Sequence, residues 1–220
     1  MASSKRRPGQ RLLGFDRGLR ARLVAGADEA GRGPLAGPLV IAAVLLDYEC
    51  LRDHRVRPLA RLNDSKQVDP ATREELYRAV LGCAERVSIR IFPPGVIDRD
   101  GLHRSNLRGL REALWAVQPA DVCLVDGFRL GPEAPPHRAV VDGDTKSAAI
   151  AAASIVAKVT RDRYMHAADA LYPAYGFASH VGYITPSHSR IVRERGPTEI
   201  HRRSFRALCY GDVAAQQAVA

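Results

Sequence analysis

The chain has little of what would mark a zinc-ribbon, secreted or membrane protein. Its four cysteines, Cys50, Cys83, Cys123 and Cys209, lie far apart and form no CxxC pair. That spacing excludes a zinc ribbon and a dense disulfide framework, and it predicts reduced thiols in a cytoplasmic protein. No apolar run approaches the roughly 20 residues needed to span a bilayer. The opening MASSKRRPGQ is basic but has no apolar segment behind it, so it does not read as a secretory signal. The histidines show no metal-ligand spacing, and there is no internal repeat or heptad run. Acid is outnumbered by base: 33 Lys and Arg against 24 Asp and Glu leave a net charge of +9. Such a field favours polyanions, nucleic acid first and anionic membrane second.

What is present is a globular composition, 46% apolar and 26% charged over 220 residues, enough for one domain with a sizeable core. The chain is organised around LVAGADEAGRGPLAGP, residues 23–38. An apolar run enters two adjacent acids, Asp28 and Glu29. A glycine-rich turn comes next, and a second apolar run, Leu39 to Leu46, leaves it. This predicts strand, turn, strand, with carboxylates at the mouth. Gly31 and Gly33 let the backbone approach something bulky, and Arg32 offers a planar fork for phosphate. The same residues also fit a polar hairpin tip with Arg32 in solvent.

Residues 1–20, rich in Arg, Gly and Ser, read as a flexible basic tail. Asp69-Pro70 reads as N-cap and first residue of an amphipathic helix over about 70–84. Val87 to Ile91 alternates as a half-buried strand, a short helix runs through Val96 and Ile97, and Leu107, Leu110, Leu114 and Val117 mark another helix with Trp115 expected in the core. Val122 to Val125 is a continuous apolar run ending in Asp126, the pattern of a buried strand. A strand over 138–141 leads to Asp142-Gly143-Asp144, and residues 146–170 form the longest helix, its first half crowded with alanines for close approach to a sheet or site. The order predicts an α/β fold, a mixed sheet flanked by helices, with a small helical C-terminal extension from about 171.

Asp28, Glu29, Asp126 and Asp144 are thus the acids at which strands end. Two unit charges about 4 Å apart repel by roughly 4 kcal/mol at an effective dielectric near 20. If the four converge, protons or divalent cations must lie among them. Oxygen-only ligands suit Mg²⁺ or Mn²⁺.

DEAGRGPLAGP (28–38), LNDSK (62–66), LVDG (124–127), GDTKSAAIAAASIVAKVTRD (143–162) and GYITPSH (182–188) together resemble the motif set of ribonuclease HII, the type 2 ribonuclease H. The resemblance runs in order from about residue 23 to about 206. Related HIII proteins carry a substantial extra N-terminal domain. Only a short tail precedes Asp28 here, which favours HII. The resemblance implies an RNase H-like fold, with a catalytic domain over 21–210 and tails at 1–20 and 211–220. It implies an endonuclease that hydrolyses the RNA strand of RNA/DNA hybrids and incises 5′ of single ribonucleotides in duplex DNA. Asp28, Glu29, Asp126 and Asp144 match the family's acids and would hold two divalent ions about 3.5–4 Å apart, leaving 3′-hydroxyl and 5′-phosphate ends. Asp144 is chosen over Asp142 because it directly precedes the long helix, and Asp162 is expected to be structural.

For the substrate, Gly31, Arg32 and Gly33 resemble the loop that contacts nucleotides around the RNA-to-DNA junction, where only a 2′-hydroxyl separates RNA from DNA. Tyr183 matches the tyrosine that stacks at that junction, against the alternative of a loop tyrosine packed on the core. Lys66 and Lys158 are expected phosphate contacts, with a structural ion pair the alternative for Lys158. One departure is visible: many family members have Lys before the Gly-Tyr pair, where this chain has Val181. His188 and His201 occupy family-like positions without an assigned role. The expected partners are RNA/DNA hybrid and ribonucleotide-containing DNA, with no membrane, for a monomer in the cytoplasm. Two rivals remain at this level: another RNase H-like nuclease such as a resolvase or exonuclease, and a non-catalytic nucleic-acid binder.

Overall fold

The structure, a computed structural model, describes residues 8–51, 58–63, 65 and 68–211. Strand β1 (Leu23–Ala30) is the centre of a five-stranded sheet. Around it lie β2 (Leu39–Asp47), β3 (Arg86–Phe92), β4 (Val122–Asp126) and β5 (His137–Val140), in the order β3-β2-β1-β4-β5. All of β2 is buried, and so is Val24 to Asp28 of β1. A strand covered on both faces has no alternation to show, which is why both read as continuous apolar runs.

β4 runs parallel to β1 with Ala27 opposite Val125, so the next pair along brings Asp28 beside Asp126. β5 runs parallel to β4 with Asp126 opposite Val140. Parallel pairing therefore gathers the carboxyl ends of β1 and β4 at one edge, the usual place for a site in an open α/β sheet.

Seven α-helices occur among the described residues: α1 (Pro8–Gly18), α2 (Pro70–Cys83), α3 (Pro94–Asp100), α4 (Leu102–Ala116), α5 (Ala148–Leu171), α6 (Phe177–His180) and α7 (Pro186–Arg195). The Asp69 side chain caps α2 by accepting from Thr72 N–H at 3.0 Å, with Pro70 at the first turn, as the sequence predicts. None of these helices is long and apolar enough to cross a membrane.

Two expectations are corrected. Residues 8–18 are not a loose tail but α1, with Leu12 and Leu13 buried. A Cβ on Gly9 would stand 2.2 Å from Leu59 O, so that turn lies directly on the backbone of residues 59–60. The buried Asp16 carboxylate accepts from Tyr48 OH at 2.7 Å and from Ala149 N–H at 2.9 Å. These partners lie 32 and 133 residues away, which is why composition within residues 1–20 gives no sign of the helix. Trp115 is not core: it is 56% exposed, and its indole N–H donates to Glu133 O at 2.9 Å. Leu110, Ala113 and Leu114 fill the buried face of α4, and the residue after Leu114 points about 100° away from it.

The fold divides into two compact units. One comprises the described residues of Met1–Ala30, Ile41–Arg90 and Asn106–Val159. In it the backbone of α5 reaches β1 so closely that a Cβ on Gly26 would stand 2.1 Å from Ala149 C. The alanines at the start of α5 serve this approach. The other unit comprises the described residues of Gly31–Val40, Ile91–Ser105 and Thr160–Ala220. Its core is Phe177 with Ala36, Met165 and Ala168, and a second cluster of Leu35, Val192 and Cys209.

Candidate active site

The first unit holds the acids. Asp28 is 5% exposed, and its Oδ1 accepts the Glu29 backbone N–H at 2.7 Å. Ser154, on α5, also hydrogen-bonds the Asp28 carboxyl, and Ser65 Oγ lies 3.0 Å from Ser154 Oγ. Burial pushes the Asp28 carboxyl well above the ordinary carboxylate range, and the charges of Glu29 and then Asp126 push the same way. Three carboxyls thus feel one another at the ends of two adjacent strands.

Asp126 also organises the turn that carries the fourth acid. Its Oδ1 accepts the Gly143 N–H at 2.7 Å, which ties the 3-10 turn Gly143–Thr145 to the end of β4. A Cβ on Gly143 would meet Ile150 Cδ1 at 2.5 Å, so the turn closes tightly over α5. Asp144, in that turn, is buried, whereas Asp142 is exposed and left-handed at φ 51°. Lys158 is half-buried one turn beyond Ser154, on the α5 face that meets Asp28. Lys66 lies outside the described residues.

The four acids expected from the sequence, Asp28, Glu29, Asp126 and Asp144, are all oxygen donors, the kind that suits a hard divalent ion. Among the described residues, no three His, Cys, Asp or Glu side chains form a ready-made cation cage. Asp28 holds its proton first because it is buried and then because Glu29 and Asp126 lie nearby.

The second unit holds the loop from Gly31 to Pro38. Two arginines that sequence reasoning missed lie behind it, Arg161 at 1% exposure and Arg202 at 0%. Arg202 donates to Gly31 O at 2.5 Å, Arg32 O at 3.1 Å and Gly37 O at 2.9 Å, and its guanidinium lies 5.1 Å from the centre of the Phe205 ring. Arg161 donates to Pro38 O at 3.0 Å, Ala36 O at 2.9 Å and Val181 O at 2.9 Å. Burial, and then the charge of Arg161, lower Arg202 to about 9, so it still carries its charge at neutral pH. Gly31 has φ 92°, and a Cβ there would stand 2.2 Å from Arg161 Nε. The close approach at Gly31 is therefore to an internal arginine. Gly33 is different: among the described residues, a Cβ there would have only the Tyr183 ring within 4 Å, at 3.8 Å.

Tyr183 is 44% exposed, so its ring is not packed away in the core. Its carbonyl accepts from His188 Nδ1 at 2.8 Å, and His188 Nε2 lies 3.0 Å from His201 Nε2. Val181, which precedes the Gly182-Tyr183 pair, adopts φ 42°, an uncommon conformation for a β-branched residue, with its carbonyl held by Arg161. Asp162 lies half-buried on α5 in this unit.

The family model for ribonuclease HII matches residues 25–208. The chain belongs to the ribonuclease HII family. A ribonuclease HII of Nocardia farcinica is 47% identical over 184 residues, covering 83% of this chain and 71% of the relative. The crystal structure of ribonuclease H2 from Pyrococcus horikoshii superposes with a TM-score of 0.74 at 26% identity, over 90% of this chain and all of that one. Bst ribonuclease HIII, solved with Mn²⁺, shares the fold at 18% identity and a TM-score of 0.64, over 97% of this chain and 73% of that one.

The chain is accordingly a ribonuclease H, an enzyme of a divalent-metal-dependent family that acts on RNA paired with DNA. The RNase H-like α/β sheet expected from the motifs is the fold observed. Ser154, Arg161, Arg202, His188 and His201 are structural partners of ribonuclease HII motif residues whose roles the sequence left unassigned. Ser154 and Arg161 stand inside the SIVAKVTRD helix motif, which was the available signal. Arg202, in a basic HRRS stretch, looks like any surface arginine.

Proposed function

We propose that this ribonuclease HII cuts the RNA strand of RNA/DNA hybrids and also incises duplex DNA on the 5′ side of a single embedded ribonucleotide. The supporting observation is the acid edge: Asp28 is buried against Glu29 and Asp126, and Asp126 in turn holds the turn that carries Asp144. Such a set suits phosphoryl transfer between oxygens and offers no histidine or cysteine nucleophile. Asp28, Glu29, Asp126 and Asp144 would hold two divalent ions, Mg²⁺ or Mn²⁺. When bound, these supply a hydroxide at neutral pH and stabilise the departing 3′ oxygen.

The chain's own residues do the placing. Ser154 holds the orientation of Asp28, and the Gly143 N–H holds that of Asp126. Arg32 and Lys158 supply positive charge for the phosphodiester backbone. The Arg32 and Gly33 backbone and the exposed Tyr183 ring read the ribose, the ring by stacking and the backbone by reaching the 2′-hydroxyl.

The test is cleavage of a labelled DNA duplex carrying one ribonucleotide, with Mg²⁺, with Mn²⁺ and with chelator. A metal-dependent nick 5′ to the ribonucleotide is expected. An uncut duplex beside a digested RNA/DNA hybrid would remove the junction reading and leave a hybrid-only nuclease.

A further inference from the structure

The buried arginines have no place in the chemistry just described, and burying a guanidinium without a purpose is costly. Among the described residues, neither Arg161 nor Arg202 directs its hydrogen bonds to a carboxylate. Six of them go to main-chain carbonyls, five of these within residues 31–38. Asp162 adjoins Arg161, and Asp98 exerts a longer-range pull on Arg202. Asp98 itself accepts from the backbone N–H groups of Arg203 and Ser204, fixing the segment that carries Arg202.

A trans peptide is planar, with its carbonyl and the next N–H pointing in opposite directions. The Gly31 carbonyl points at Arg202, so the Arg32 N–H points away from it. The Arg32 carbonyl also points at Arg202, so the Gly33 N–H points away too. Pro34 comes next and has no N–H, which ends the series. Two successive donors are thereby aimed away from Arg202, and among the described residues a Cβ on Gly33 would find the Tyr183 ring within 4 Å. The cation behind each peptide also polarises it, making the outward N–H a stronger donor.

We infer that Arg161 and Arg202 are positioning residues for ribonucleotide recognition, fixing the 31–38 loop so that the Arg32 and Gly33 amides face the ribose 2′-oxygen of the substrate. Arg202 aims the two donors directly, and Arg161 holds the far end of the same loop. The inference rests on the reading of this loop given under the proposed function. It adds that discrimination between ribose and deoxyribose is set by two side chains that never touch the substrate.

The measurement is the ratio of affinities for a duplex with one ribonucleotide and the all-DNA duplex of the same sequence, with chelator present so that neither is cut. The wild-type ratio should favour the ribonucleotide. A wild-type ratio of one would remove the loop reading itself. Given a wild-type preference, Arg202→Lys keeps the charge but not the three-pronged geometry, and the ratio should fall by about tenfold. A folded Arg202→Lys protein with the wild-type ratio would overturn the inference. Guanidinium ion added to Arg202→Ala should restore part of the ratio, which general destabilisation would not allow. Should these variants fail to fold, amide resonances of the wild-type protein decide. The Arg32 and Gly33 signals should move with the ribonucleotide duplex and hold still with all-DNA. Equal movement with both would overturn the inference.

Discussion

Nε2 of His188 and Nε2 of His201 stand 3.0 Å apart, and only one of them carries a proton. Thr198 N–H donates to His201 Nδ1 at 2.9 Å, with Thr198 Oγ1 at 2.8 Å from the same nitrogen. His201 therefore holds its proton on Nε2 and gives it to His188, whose own proton sits on Nδ1 and goes to the Tyr183 carbonyl. Both rings must be neutral. Burial, and then the neighbouring His188, lower His201 to about 3, and burial lowers His188 as well.

That neutrality fixes the sign of a pH effect on stability. The unfolded chain takes up protons on these histidines below about pH 6.5, while the folded chain refuses them. Stability is full above that value and falls as pH drops toward about 3 for His201, by at most about 1.4 kcal/mol per pH unit for each histidine. Urea unfolding at pH 7 and pH 5 measures the loss. His201→Gln, which cannot take up charge, should flatten the dependence. An unchanged slope in that variant would assign it to other groups.

Asp126 has two jobs that substitution separates. Asp126→Asn keeps an Oδ1 to accept the Gly143 N–H. It should fold normally, bind hybrid, and lose cleavage by about a thousandfold or more. Asp126→Ala strands that N–H as well and should cost an additional ~1–3 kcal/mol of stability. Thermal unfolding beside a cleavage assay distinguishes them, and an active Asp126→Asn would remove the acid from the chemistry.

Gly26 and Gly14 predict opposite responses to the same change. A methyl at Gly26 meets the Ala149–Ile150 backbone at 2.1–2.4 Å, which cannot yield, so Gly26→Ala should lose about 3 kcal/mol or more. Gly14 sits on the exposed side of α1 with none of the described residues within 4 Å of an added Cβ, so Gly14→Ala should gain up to about 1 kcal/mol. Denaturation midpoints decide. Loss at Gly14 would mean that α1 does not form in solution.

Tyr183→Ala should reduce cleavage at a single ribonucleotide by about tenfold or more, the range for one stacking contact, with a smaller loss on a long hybrid. Tyr183→Phe retains the ring and should behave as wild type. Equal losses on both substrates would assign the ring to general binding.

The places of Asp28 and Asp126 in the fold were legible because each follows a buried apolar run near a strand end, whereas Asp144 sits beyond the half-exposed β5 in the turn Gly143–Thr145. The start of α5 was legible for a similar reason, since a block of alanines serves a backbone-to-backbone approach such as that at Gly26. Helix α1 was not, because Leu12 and Leu13 are too few to show a period and its anchors lie elsewhere in the chain. The glycine at position 31 was read as room for substrate, yet the neighbour it admits is Arg161. A buried arginine and a solvated one are the same letter, and only the positions of its carbonyl partners tell them apart.

Strand β1 pairs with β4 across a gap of 98 positions, Val24 to Val122. A ribosome adding about 5–20 residues per second takes about 5–20 seconds to bridge that gap. Through that interval the apolar central strand has one edge without its partner, while β2 and β3 are already made. Nascent chains halted before Val122 should therefore be prone to mispair with one another and be held by chaperones, and slowing translation over residues 48–121 should lower the soluble yield.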